Sequence, residues 1–146
     1  MSVKDFLNKI RKIDLLINEK LDEVSELRDR LTNITANTEN ERVQTSMQGD
    51  KFGATIAKIV DLEEKINADI DTLVEYKRVA RELIEKLDDD VLKLILYKRY
   101  FSGKTFEQIA VEINYSWRWT CKLHGKALQK LNKYKEDIVI HIDNVV

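Results

Sequence analysis

Not one proline interrupts the 146 residues of this chain. A sequence of that length usually holds about seven, proline usage running at about 5%. Proline and glycine serve the turns between strands, and glycine is scarce too, with 4 in all. A many-stranded sandwich or barrel is thereby excluded. Charged residues make up 35% of the chain and hydrophobic ones 43%, a mixture that suits long solvated helices. The length allows one ordinary domain, or a small domain with a helical attachment. The expected class is all-α.

Apolar spacing divides the chain. From Val3 to Ile34, apolar residues fall at Phe6, Ile10, Ile13, Ile17, Leu21, Val24, Leu27, Leu31 and Ile34. Steps of three and four make one stripe on a helix, close to a heptad seam. A second stripe runs through Ile56, Ile59, Leu62, Ile66, Ile70, Leu73, Tyr76, Ala80, Leu83 and Leu87. Each helix would be on the order of 50 Å long. Between them, Thr35–Gly53 is rich in Thr, Asn, Ser and Gln and reads as a polar loop. Neither long helix can bury its stripe alone. The economical arrangement for residues 1–87 is a long antiparallel helical hairpin, a coiled coil. A second chain can double it into a four-helix bundle, so a homo-oligomer is expected, with a dimer favoured. The plain reading of this half is a scaffold for oligomerisation or spacing. It holds no histidine, hence no Glu-x-x-His ligand pair for a di-iron centre.

Residues 88–135 have a different texture. The triplet Asp88-Asp89-Asp90 suits a helix N-terminus, and Leu92, Leu94, Ile95, Leu96 and Tyr97 follow as a short apolar helix ending near Phe101. Ser102-Gly103 breaks it, with Gly103 suited to a left-handed stop. Thr105 and Gln108 have capping-box spacing for a helix over Phe106–Ile113. Asn114-Tyr115 makes the next turn, asparagine tolerating positive φ. Ser116 caps a last helix running to about Lys133. The tail, residues 136–146, alternates around Ile138, Ile140 and Ile142, the pattern of an added strand in need of a partner.

The net charge of −1 averages over opposites. Residues 1–90 carry 15 basic and 21 acidic side chains, whereas residues 91–135 carry 10 basic ones against only Glu107 and Glu112, a net of +8. A basic block between acidic ones is an electrostatic footprint for a polyanion. Taken alone, it fits a solvated lysine face equally well.

The two helices after Gly103 add what charge alone lacks. A helix-turn-helix needs two short helices sharing a tiny core, with a small residue where they cross, and Ala110 meets that need. On the second helix Thr120, Leu123, Ala127 and Leu131 face inward, and Trp119 is expected to turn toward the core as well. Trp117, Arg118, Cys121, Lys122 and Gly125 share the opposite face, with Lys126 close by. Arg118, in the first turn, is placed for a bidentate contact to a guanine edge. Lys122 and Lys126 reach bases or phosphates, and Trp117 and Cys121 offer apolar contact to thymine methyls. Lys104, Thr105 and Ser116, at the two helix starts, complete the expected DNA-binding set. Gly125 costs a helix about 1 kcal/mol relative to alanine, which suggests a close backbone approach. The plain alternative is a helical hairpin with solvated lysines and buried tryptophans.

These residues carry a resemblance. Leu94-x-x-Tyr97-x-Arg99-Tyr100-Phe101-Ser102-Gly103-Lys104-Thr105, then Glu107-Gln108-Ile109-Ala110, Tyr115-Ser116 and Leu123-His124-Gly125-Lys126-Ala127-Leu128, resemble region four of sigma factors. The stretch is most similar to the sigma-like helix-turn-helix of small bacteriophage late-transcription regulators of the ArpU and RinA type. It covers about residues 90–131. The N-terminal hairpin, with Arg42-Val43-Gln44-x-Ser46 in its loop, resembles a phage family of the same layout. The resemblance implies a DNA-binding transcription regulator in a bacterial host cytoplasm, touching RNA polymerase, with Arg118, Lys122 and Lys126 on DNA. Thr120 departs from the usual valine or isoleucine, and Trp117 and Trp119 depart as a pair. Nothing resembles the sigma region that melts promoter DNA, so a regulator is implied rather than a complete sigma factor.

Other chemistry finds little footing. Gly103-Lys104-Thr105 imitates the end of a P-loop, but Lys98 stands where its first glycine belongs. Cys121 and His124 are two of the four ligands that a zinc site needs, and no third group orients them as a nucleophile pair. No enzyme activity, cofactor, metal or small-molecule substrate is expected. The single Cys121 suits a reducing compartment, residues 1–12 hold no signal-like apolar region, and no apolar run suggests a membrane span. Two other functions compete: the small terminase subunit of phage DNA packaging, and an adaptor that binds polymerase or sigma without touching DNA.

Overall fold

The computed structural model describes residues 1–38 and 45–143, and every element in them is helical. Helix α1 spans Val3–Thr38 and α2 spans Thr45–Ile84. After a short break come α3 (Asp90–Leu96), a π-helical turn (Tyr97–Phe101), α4 (Phe106–Ile113) and α5 (Trp117–Leu131). A 3-10 turn (Asn132–Tyr134) leads into α6 (Lys135–Asp143). The described residues are all-α, the class expected from the sequence. No helix among the described residues is long and apolar enough to cross a membrane.

The compact units divide differently from the boundary after Leu87 that the apolar spacing suggests. One comprises Met1–Asp14 with Thr72–Val146, the other Leu15–Asp71. Helix periodicity reports which face of α1 is apolar, but not which residues cover it.

Within the 15–71 unit, α1 and α2 run antiparallel. Lys20 pairs with Asp69, and Arg28, two turns further along α1, pairs with Glu63, nearly two turns back along α2. Ile17, Val24, Leu27, Ile59 and Ile66 are buried between these flanks. Leu21, Ile56 and Ile70, members of the expected stripes, stay exposed.

The expected loop over Thr35–Gly53 is corrected at both ends, because α1 continues to Thr38 and α2 begins at Thr45. Extending an existing helix costs far less than starting one. Nearby hydroxyls bond back to the helix instead of breaking it, Thr32 to the Arg28 carbonyl at 3.2 Å and Thr55 to that of Lys51 at 2.8 Å. Arg42, Val43 and Gln44, part of the phage-family resemblance, lie outside the described residues.

In the other unit the first turns of α1 close a core. Val3, Phe6, Leu7 and Ile10 are fully buried with Ala80, Ile84, Leu92, Ile95 and Leu96. The Phe6 ring meets Tyr76 edge-on at 5.8 Å. Asp89 caps α3, its carboxylate accepting from the Val91 and Leu92 amides at 2.9 and 3.3 Å. The expected strand in the tail is also corrected: residues 135–143 form α6, and no strand exists among the described residues to pair with it. Ile138 is buried, Ile140 is exposed, and the Lys86 ammonium donates to Asp137 at 2.9 Å.

Candidate nucleic-acid interface

Local chemistry sets the corner between α4 and α5. Gly103 stops the preceding turn at φ 67°, a left-handed value that favours glycine. Thr105 and Gln108 then close a reciprocal capping box. The Thr105 hydroxyl accepts from the Gln108 amide at 3.2 Å, and the Gln108 side chain accepts from the Thr105 amide at 2.9 Å. Asn114 ends α4 at φ 58° and ψ 38°. Ser116 caps α5 by accepting from the Trp119 amide at 3.1 Å. Caps of this kind contribute about 1 kcal/mol each, and together they define where α5 starts and which face it turns outward.

The inner face of α5 carries Thr120, Leu123, His124, Ala127 and Leu131, all buried. The Thr120 hydroxyl donates to the Ser116 carbonyl at 2.9 Å, so threonine replaces a β-branched hydrocarbon without an unsatisfied group. His124 belongs to this face, and its hydrogen bond is the feature that motif reasoning missed. Its Nε2 lies 2.8 Å from the Tyr100 hydroxyl, and its ring meets Phe106 edge-on at 4.8 Å. The signal was present in the spacing, since His124 stands one turn after Thr120. Arg99 stacks over Phe106 at 4.3 Å and donates to the Lys104 carbonyl at 3.1 Å, fastening the turn that leads into α4.

Burial pushes the His124 imidazole down to about 4 from its usual 6.5, with the positive charges of Arg99 on the π turn and Lys4 on α1 adding to the shift. The folded chain therefore stays neutral at His124 while the unfolded chain takes up a proton. Stability contributed by the neutral ring is complete above pH 6.5 and is lost as pH falls toward 4, at up to about 1.4 kcal/mol per pH unit. Melting temperature against pH for the wild type and His124→Gln tests this: the variant should show a shallower fall across that window.

The outer face of α5 is open. Arg118, Lys122 and Lys126 are exposed there, and Lys130 extends the series by another turn. No ion pair reaches any of the four among the described residues. Steps of four place successive cations about 6 Å apart along the axis, where like charges repel. Arg118 also sits at the positive end of the helix dipole, and the first turn holds no acidic residue to offset it. Cys121 is half-buried at the edge of this face. At Gly125 nothing in the chain lies within 4 Å of where a Cβ would stand, so packing within the chain does not require the glycine.

The expected site residues thus fall into two groups. Arg118, Lys122, Lys126 and Trp117 share the open outer half of α5. Thr105 and Ser116 spend their side chains on caps, and Lys104 joins Lys98 in gripping Glu112. The two ammonium groups, Lys104 first, hold the Glu112 carboxyl below its usual range. Trp119 is a correction: it is 50% exposed, not turned into the core. Helix rotation of about 100° per residue carries Trp119 off the inner face that Thr120, Leu123, His124, Ala127 and Leu131 line.

Among the described residues, no group of three or more His, Cys, Asp or Glu side chains is arranged to hold a metal ion. No family profile, curated protein or solved structure matches this chain.

Proposed function

We propose that residues 90–131 bind double-stranded DNA as a helix-turn-helix, with α5 as the reading helix of a phage or prophage transcription regulator. The observation that carries this reading is the run of Arg118, Lys122 and Lys126 along the exposed side of α5, without counterions. On a free helix this placement is unfavourable twice over, through mutual repulsion and through Arg118 at the dipole's positive end. A row of phosphates removes both penalties. Local rules broken in this way cluster at functional sites.

The parts act together simply. A helix of α5's width fits the major groove. Its buried inner face and the two caps hold it rigid, so little ordering remains to be done on binding. Arg118 reads a guanine edge with its fork of donors, while Lys122 and Lys126 displace counterions from the backbone. Trp117 and Trp119 flank the helix on either side of Arg118 and add apolar contact at the groove walls.

Recovery and sequencing of bound fragments from host or phage DNA tests the assignment. Wild-type protein should enrich a shared short sequence. Arg118→Ala should keep its helical content and lose preference at one base pair, a discrimination of about 1–3 kcal/mol. Unchanged preference in that variant would remove Arg118 from the reading role. A polymerase contact is the second reading, favoured by Val111, which is 78% exposed on α4. Retention of polymerase without any DNA shift would select it.

A further inference from the structure

The apolar surface of the long helices exceeds what one hairpin buries. In the 15–71 unit, Leu21, Ile56, Val60 and Ile70 remain between 39% and 46% exposed. On α2 the outward residues Ile56, Val60, Glu63, Asn67 and Ile70 recur in alternating steps of four and three, the spacing of a coiled-coil seam. Val60 follows buried Ile59, and Asn67 follows buried Ile66, so this second seam lies about 100° around the helix from the first. Leu21, Ser25 and Arg28 of α1 step in the same way. Together with Glu63, Asn67 and Ile70, and with buried Val24 and Ile66, they line an open groove of about 520 Å³.

The geometry points to a second copy of this chain as the occupant, with two hairpins meeting on this groove to complete a four-helix bundle. Three properties of the face select a copy over an unrelated partner. Its charges balance, since Arg28 and Glu63, paired with each other, are the charged residues among the eight that line it. A two-fold axis then brings the Arg28 of each copy toward the Glu63 of the other, so the face complements itself. Both helices also offer seams of one spacing, so the knobs of each hairpin match holes in an identical one. Finally, Asn67 occupies a seam position. A polar residue there sets register and oligomer state when another helix layer covers it.

Pairing through this face needs no DNA and is measured without it. Light scattering on the full chain across a dilution series should give twice the 17.1 kDa of one chain. Ile70→Glu should yield monomer with unchanged helical circular dichroism. If that variant loses helix, Val60→Glu, further from the buried seam, should yield the same monomer. Leu16→Glu, exposed on the other flank of α1, should leave the dimer intact. Asn67→Leu should keep the chains associated and mix their oligomeric states. A wild-type monomer at every concentration would overturn the proposal. So would a larger closed ring, or a dimer that survives both glutamates on α2.

Discussion

Replacing Phe6 by alanine is expected to cost about 3–5 kcal/mol of folding stability, the usual loss for a fully buried phenylalanine. Phe6 stands early in a helix whose later turns are largely solvated, and apolar spacing alone does not set it apart from Leu21 or Leu31. The structure sets them apart: Phe6 is fully buried and meets Tyr76 edge-on at 5.8 Å, whereas Leu21 is exposed. The loss has a functional consequence, because Phe6 shares one compact unit with α4 and α5. Denaturant unfolding followed by circular dichroism should show a lowered midpoint, and DNA binding should weaken with it. Leu21→Ala should lose far less. A cost below about 1 kcal/mol for Phe6→Ala would mean that the start of α1 does not belong to this core.

The second large effect concerns binding. Changing Arg118, Lys122 and Lys126 together to alanine should lower DNA affinity by at least about 100-fold, combining one base contact with two phosphate contacts. Stability should hold or rise slightly, since the substitutions remove repulsion between like charges one turn apart. Opposite signs for binding and stability distinguish a functional face from a packed one. A triple variant that unfolded would instead show these side chains supporting the fold. Lys98→Ala serves as a contrast, because Lys98 is engaged with Glu112.

What proved legible in the sequence was local. Thr105 with Gln108, Gly103, Asn114 and Ser116 each act over three or four residues, and each sits where its chemistry places it. The inner face of α5 was legible for the same reason, since helix periodicity alone brings Thr120, Leu123, Ala127 and Leu131 together. Three features depend on distant packing and were not legible. Trp119 looks like a core residue by hydrophobicity, yet it stays 50% exposed. The tail alternates like a strand, yet only Ile138 finds a buried place while Ile140 stays outside. The unit boundary follows contacts between residues 1–14 and 72–146, which no local pattern announces. The wide stripes of α1 and α2 were visible, but not that Leu21 on the first and Ile56 and Ile70 on the second would stay exposed.

The salt dependence of DNA affinity tests the central claim most directly. Binding of wild-type protein to duplex DNA, followed by fluorescence anisotropy, should give a log K that falls linearly with log salt, by about 0.9 for each phosphate neutralised. The triple alanine variant should bind more weakly with a slope shallower by about 2, one for each lysine removed from the backbone. Absence of salt-dependent binding by the wild type, or a slope that the three substitutions leave unchanged, would contradict α5 as the DNA-binding element.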